Sequence, residues 1–192
     1  MLMYIGVYGW EHEQWQGSFY EAGLPEDWHL TFYAKRFKTV LVPYEYWTHC
    51  SEAQLEEICS DMEKNYPIIF EVKQQETDNR VAELLHGVDS SIKSKICFTA
   101  DGWVKETSVY RLQQAKVLQA ENVLEGKVAA FLLTSETLLK DVFLREIIRG
   151  LKNDFSDYDV IYLYFAGELI NIDVINTGYT LLKHLGLDNY PF

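Results

Sequence analysis

The feature that most constrains the fold is an alternation of short β-rich runs with longer stretches of helical periodicity along 192 residues. This alternation is typical of parallel strands, because a parallel connection must cross back over the sheet and usually does so through a helix. It therefore predicts an α/β fold. The predicted strands are Leu2 to Tyr8, Thr39 to Val42, Pro67 to Lys73, Lys127 to Leu133 and Asp159 to Phe165, with Lys95 to Phe98 as a sixth.

Helices are predicted between most of these strands. Ser51 and Gln54 have capping-box spacing, which indicates a helix start. Thr107 to Leu124 has the composition of a long helix that Gly126 ends. The remaining helical segments are Pro25 to Phe37, Leu138 to Ile148 and Asn171 to Leu185. The pattern is weaker over residues 74–106, whose role the sequence leaves open.

Composition indicates a single domain over residues 1–192, because 48% hydrophobic residues in a chain of this length form one sizeable core. The chain is acidic, with a net charge of −12, and its field repels nucleic acid phosphates and anionic membranes. We therefore expect no nucleic-acid or membrane partner.

The cysteines indicate a cytoplasmic location. Cys50, Cys59 and Cys97 are odd in number and form no CxxC pair, which favours reduced thiols over a disulfide framework. The sequence shows no signal-peptide pattern and no long apolar run. No glycine-rich phosphate loop occurs either, and no cofactor is predicted.

Alternation along the strands predicts which side chains face the inside of the curved sheet. Glu71 and Lys73 share one face of the third strand, where an acid and a base can pair or bind a polar ligand. Tyr162 and Tyr164 share the corresponding face of the last strand. The interior is therefore expected to be polar and aromatic.

Three patches resemble the YecE-like family, whose uncharacterised members have a TIM-barrel-type fold. The first patch starts with a strand ending at Gly9, continues through Trp10, Trp15 and Phe19-Tyr20, and reaches Tyr33 and Phe37. The other two are Phe70-Glu-Val-Lys73 and Tyr162-Leu-Tyr-Phe165. The resemblance implies a TIM-type β/α barrel and names no reaction.

Departures from the family pattern remove polar groups. Leu41 and Pro43 replace an acid and an amide, and Ala166 and Gly167 replace two asparagines. An eight-stranded barrel needs about 200 to 250 residues. We therefore expect a shortened or incomplete TIM-type barrel with about five to six mainly parallel strands. Open strand edges in such a sheet would suit a homodimer.

The candidate site lies at the carboxyl ends of the strands, where barrel enzymes place their chemistry. The catalytic candidates are Lys73, Glu71 and His12, and the ligand-binding candidates are Trp10, Trp15, Tyr44, Lys73 and Tyr164. Each has a structural alternative: the tryptophans can form a packed lid, and Glu71 with Lys73 can be an ion pair. His12 and His49 lack metal-ligand spacing, so no metal is predicted.

Three functions are compatible with these residues. The first is a non-catalytic or ligand-binding barrel derivative, which the missing polar positions favour and which would bind a small polar ligand. The second is a hydrolase-like barrel enzyme with Lys73 as an electrostatic group and Glu71 and His12 as proton carriers. The third, nucleic-acid processing, rests on fold analogy, and the negative charge counts against it.

Overall fold

The computed structural model describes residues 1–60, 62, 66–72, 95–99, 104–106, 110–119, 127–135, 141–167 and 170–188. The predicted site residue Lys73 and most of the segment 74–106 lie outside these residues.

That part contains eight strands and five α-helices. The strands are β1 (Leu2–Tyr8), β2 (Val40–Val42), β3 (Ile68–Val72), β4 (Lys95–Thr99), β5 (Val104–Glu106), β6 (Tyr110–Gln119), β7 (Val128–Ser135) and β8 (Val160–Ala166). The helices are α1 (His29–Ala34), α2 (Tyr44–Trp47), α3 (Glu52–Ser60), α4 (Asp141–Asp154) and α5 (Ile172–Leu185). Two 3-10 helices, Glu13–Trp15 and Glu26–Trp28, lie in the connection from β1 to α1.

The centre of the molecule is a curled sheet of five parallel strands in the order β3-β2-β1-β8-β7. Strand β1 pairs with β8 along six residues and with β2 along two. The first and last described strands are thus neighbours, as expected for a chain that curls its sheet. The predicted α/β class is confirmed, and the five strands form a half-barrel.

The antiparallel part of the sheet was not predicted. Strand β4 pairs in parallel with β3 and antiparallel with β6, which pairs antiparallel with β7. Hydrogen bonds therefore connect seven strands in the order β4-β3-β2-β1-β8-β7-β6 and then back to β4. Strand β5 pairs with β6. The described part thus has eight strands, more than the expected five to six, and five of them form the all-parallel half-barrel.

The predicted helix from Thr107 to Leu124 is wrong, because β6 occupies Tyr110–Gln119. Its glutamine, alanine, lysine and leucine residues favour a helix only weakly. The difference in helix propensity is on the order of tenths of a kcal/mol for each residue. Hydrogen bonding to β4, β5 and β7 outweighs that preference. Long-range strand pairing of this kind leaves no periodic signal in a short window of sequence.

The two faces of the curled sheet have different partners. Met3, Ile5 and Val7 belong to the larger core, which also contains helical residues such as Leu144 and Leu182. The opposite face forms a second buried cluster, composed of Tyr4, Leu41, Ile69, Ala130, Tyr162 and Tyr164. The placement of the tyrosines on the inner face agrees with the alternation predicted from the sequence.

Gly6 makes room for this inner cluster. A Cβ atom at this position would lie 2.9 Å from Cε1 of Tyr164 and 2.4 Å from the carbonyl oxygen of Thr39. The phenol of Tyr164 is hydrogen-bonded to Thr39 Oγ1 at 2.7 Å. Tyr4 and Tyr162 stack beside it, with ring centroids 5.1 Å apart. A glycine is thus required where the aromatic ring crosses the strand.

Strands β1 and β2 pair directly at only two positions, Val7 with Val40 and Tyr8 with Leu41. Before these positions, two tyrosine hydroxyls connect β1 to the chain that leads into β2. Tyr33 on α1 accepts from the Val7 N–H at 2.9 Å and donates to the Thr39 carbonyl at 3.0 Å. Tyr179 on α5 donates to the Ile5 carbonyl at 2.5 Å and accepts from the Lys38 N–H at 3.0 Å. The helices therefore complete the hydrogen bonding of the sheet where the backbones diverge.

Local sequence signals explain the helix ends. The capping box that starts α3 is confirmed: the Ser51 N–H donates to Gln54 Oε1 at 2.9 Å, and the Gln54 N–H donates to Ser51 Oγ at 3.3 Å. Asn171 Oδ1 accepts from the Asp173 N–H at 2.8 Å at the start of α5. Among the described residues, no helix combines the length and apolar character needed to cross a membrane.

Candidate functional site

The carboxyl ends of β1, β2 and β3 meet around one carboxylate, that of Glu71. Its Oε2 atom accepts from the Tyr8 hydroxyl at 2.6 Å and from the Tyr44 N–H at 2.9 Å. Its backbone carbonyl accepts from the indole N–H of Trp47 at 2.7 Å. Glu71 therefore joins the end of β1 and the short helix α2 to its own strand.

The sequence places these groups at the rim for simple reasons. Tyr8 is the last residue of β1, and Glu71 is the residue before the last of β3. Pro43 ends β2 and directs the chain into α2, whose first residue is Tyr44, and the N–H of such a first helical residue bonds outside the helix, here to Glu71. Side-chain alternation then directs Tyr8 and Glu71 to the inner face.

Burial raises the pKa of the Tyr8 phenol, and the hydrogen bond to Glu71 and the charges of Glu71 and Glu45 raise it further. The phenol thus stays protonated over the physiological range and remains a donor to the carboxylate. Two donors on one oxygen fix the orientation of Glu71. A carboxylate held in this way is a fixed acceptor at the carboxyl ends of the strands.

His12 lies in the loop after β1, against the backbone of Tyr8 and Gly9. Its ring packs on Trp15 with centroids 4.4 Å apart, and its Nε2 atom is buried without a hydrogen-bond partner. Burial lowers the pKa of His12, and hydrogen bonds to the backbone of Gly9 and Tyr8 oppose that shift. The neutral imidazole is favoured, and one of its nitrogens is left to accept or donate.

Trp10 and Trp15 are buried rather than displayed to solvent, with 3% and 1% of their surface exposed. The carbonyl of Trp10 accepts from the Tyr20 hydroxyl at 2.5 Å. The indole of Trp15 donates to the carbonyl of Ile170 at 3.1 Å, linking the loop after β1 to the loop after β8. This geometry supports the lid alternative for both tryptophans.

The other predicted site residues are distributed differently. Tyr44 reaches Glu71 through its backbone, whereas Tyr164 is fully buried in the inner cluster and is bonded to Thr39. Lys73 is outside the described residues. The structure thus brings Glu71 and Tyr44 together, places His12 against the backbone of Tyr8, and separates Tyr164 from the rim.

Sequence reasoning missed Tyr8 and Trp47 as partners of Glu71. The available signal for Tyr8 was its position at the end of a strand, on the same face as Tyr4. Trp47 gave no comparable signal, because its contact depends on how α2 folds back over β3. In the described residues, no three histidine, cysteine, aspartate or glutamate side chains are grouped so that they could hold a metal ion.

Comparisons with known proteins agree with this architecture. The crystal structure of a DUF72 family protein (TM1631) from Thermotoga maritima MSB8 superimposes with a TM-score of 0.55 over 97% of this chain and 100% of the other, at 10% identity. At this identity the likeness shows the fold alone. No protein of curated function matches the sequence. The family described as "Protein of unknown function DUF72" matches residues 4–138, and the chain therefore belongs to the DUF72 family.

Proposed function

We propose that this protein is a single-domain, YecE-like derivative of a TIM-type barrel that binds a small polar ligand at the carboxyl ends of its strands and has no hydrolase activity. The observation that carries this proposal is the double hydrogen bond to Glu71 Oε2 from Tyr8 and from the Tyr44 backbone. It makes the carboxylate a fixed part of the rim.

A general base must offer a lone pair to the proton it removes. One carboxylate oxygen of Glu71 already accepts from two donors. Fixed orientation is, in contrast, what a binding site needs, because the bound ligand then finds its partner already in position. The buried tryptophans of the lid support the same reading, since they do not offer an open platform for a substrate.

The first experiment measures turnover. Purified protein is tested with p-nitrophenyl acetate, p-nitrophenyl phosphate and bis-p-nitrophenyl phosphate, beside the variants Glu71→Gln and Glu56→Gln. Glu56 is an exposed residue of α3 and provides the matched control. We expect no turnover above the Glu56→Gln background. Hydrolysis that Glu71→Gln abolishes and Glu56→Gln retains would refute the non-catalytic proposal.

The second experiment measures binding. A library of small polar metabolites is screened for compounds that raise the melting temperature, since a ligand that binds the folded state stabilises it in proportion to RT ln(1 + [L]/Kd). We expect stabilising compounds whose effect is reduced by Glu71→Gln and by Lys73→Met and is retained in Glu56→Gln. A compound set that acts equally on all variants would place binding away from the rim.

A hydrolase is the second candidate, and the buried Nε2 of His12 without a partner favours it. A neutral imidazole can take a proton from water or a hydroxyl group, and Lys73 would stabilise the developing negative charge. This candidate requires a bell-shaped or sigmoidal pH–rate profile that His12→Gln removes. Its refutation is the absence of His12-dependent turnover across the substrates above.

The proposal also includes a cytoplasmic location and leaves the homodimer to be tested. Cys50 and Cys59 form no disulfide within the described part of the chain, which fits the reducing environment of the cytoplasm that we propose. The edge argument for a homodimer loses force, because β4 and β7 both have neighbours on each side. Light scattering decides the matter: a mass near 22.4 kDa would remove the homodimer from the proposal, and twice that mass would retain it.

A further inference from the structure

A cavity of about 610 Å³ lies outside the sheet, between the loop after β1, the end of α1 and the start of α5. Its volume is within the roughly 300–1,000 Å³ range of small-molecule sites. It shares none of its lining with Tyr8, Tyr44 or Glu71, so it is separate from the rim group. We call it the α1–α5 cleft.

Aromatic rings form the apolar wall of the α1–α5 cleft. Phe19 and Phe37 are stacked with centroids 5.3 Å apart, and Trp15 packs on Phe19 at 4.9 Å. Trp15 and Phe37 are each 1% exposed, whereas Phe19 is half-buried and can be reached from the cleft. A ligand with an apolar ring face would pack against Phe19 without moving the core beneath it.

The polar wall carries one positive and one negative side chain. Arg36 is exposed and forms no ion pair with any residue that the structure describes, and Asp173 lies in the first turn of α5. These charges offset each other, so the wall does not select a net charge. It offers the forked donors of a guanidinium and the acceptor oxygens of a carboxylate.

Carboxamides add groups that donate and accept. The side-chain oxygen of Asn171 caps α5, which leaves its NH2 group as a donor. Asn176 is exposed one turn further along the helix and offers both functions. The Ser18 hydroxyl donates to the Gln14 carbonyl at 2.9 Å, so its lone pairs can accept. Mixed donors and acceptors beside an apolar ring complement adjacent hydroxyl groups, each of which also donates and accepts.

We propose that the α1–α5 cleft binds a neutral polyhydroxylated ring, as found in a mono- or disaccharide. The ring's C–H face would pack on Phe19, and its hydroxyl groups would bond to Arg36, Asp173 and Asn176. This site is distinct from the rim around Glu71, and the proposal does not depend on the function proposed for that rim.

The test uses the full chain and defined probes. Maltose, cellobiose and N-acetylglucosamine are titrated by isothermal calorimetry and followed in ¹H–¹⁵N NMR spectra through the Trp15 indole and the backbone amides of residues 170–176. Glycerol, which has hydroxyl groups without a ring, and inorganic phosphate, which has charge without a ring, serve as comparison ligands. We expect at least one saccharide to bind and the comparison ligands to leave these signals unchanged.

The variants Arg36→Met and Asn176→Ala alter exposed side chains, so both should fold normally, and Lys183→Met is the matched exposed control on α5. We expect each cleft variant to weaken saccharide binding about ten-fold, through the loss of a charge-assisted or amide hydrogen bond. Lys183→Met and Glu71→Gln should bind as the parent does. The proposal is overturned if no saccharide binds, if phosphate binds instead, or if Glu71→Gln rather than the cleft variants abolishes binding.

Discussion

Replacement of Tyr33 by phenylalanine tests whether helix side chains complete the sheet. The change removes one oxygen and keeps the ring, which stacks on Trp15 at 6.3 Å and packs on Phe37 at 4.7 Å. The lost hydroxyl accepts from the Val7 N–H and donates to the Thr39 carbonyl. Tyr33 has no exposed surface, so water cannot readily replace the oxygen.

The expected loss of stability follows from these two backbone groups. A buried donor or acceptor that loses its partner costs about 1–3 kcal/mol, and Tyr33→Phe leaves one of each. Part of that cost is offset because the phenol itself no longer has to be buried. We expect the free energy of unfolding to fall by about 2–4 kcal/mol, a substantial part of the roughly 5–15 kcal/mol typical of a folded domain.

Urea unfolding followed by circular dichroism measures this change, with two companion variants. Tyr179→Phe removes a similar bridge, between Ile5 and Lys38, but Tyr179 is half-buried and water can enter, so we expect a loss of about 0.5–1.5 kcal/mol. Tyr158→Phe, at a half-buried tyrosine that packs on Phe155, is the control. Equal losses for Tyr33→Phe and Tyr179→Phe, or a loss below about 1 kcal/mol for Tyr33→Phe, would refute the reasoning about buried backbone groups.

Four further changes test other parts of the structure. Gly6→Ala should destabilise the fold by about 3 kcal/mol or more, seen as a lower melting temperature, because the new Cβ would meet backbone and a fixed ring; an unchanged melting temperature would contradict the close approach. Ser51→Ala should cost about 1 kcal/mol in urea unfolding by removing the capping box of α3, and no change would mean that the cap contributes nothing. Glu71→Gln should lower the pKa of the Tyr8 phenol in an absorbance titration, although burial, the larger cause, would remain; an unchanged pKa would disprove the pairing. The lowered pKa of His12 means that the unfolded chain binds more protons below about pH 6.5, so stability should fall as pH drops from there, and His12→Gln should flatten that part of the profile.

The parallel half of the fold could be predicted from the sequence because its signals are local. Strand β1 begins and ends where its apolar run does, and the alternation along β8 correctly separates Ile161 and Leu163 from Tyr162 and Tyr164. Both strands are buried on both faces along their central residues. Burial of a strand determines both its hydrophobic pattern in the sequence and its position in the structure, so the pattern predicts the strand.

The antiparallel half and the site contacts could not be predicted in the same way. Strand β6 contains mostly residues that favour helices, and its hydrogen bonds go to three other strands. The contact between Tyr8 and Glu71 joins residues 63 positions apart. Strand alternation placed both on the inner face, but the distance between them depends on how tightly β1, β2 and β3 curl. That curvature is a property of the whole sheet.

The inner cluster also explains why the candidate chemistry is confined to the rim. Leu41 stands where the resemblance noted in the sequence leads us to expect an acid, and it is fully buried in the same cluster as Ile69 and Ala130. An ionised carboxylate at that depth would need a paired cation or several donors to compensate for its lost hydration. The leucine fills the same space without that requirement. Tyr8 and Glu71, in contrast, lie at the carboxyl ends of β1 and β3, where the phenol donates to the carboxylate.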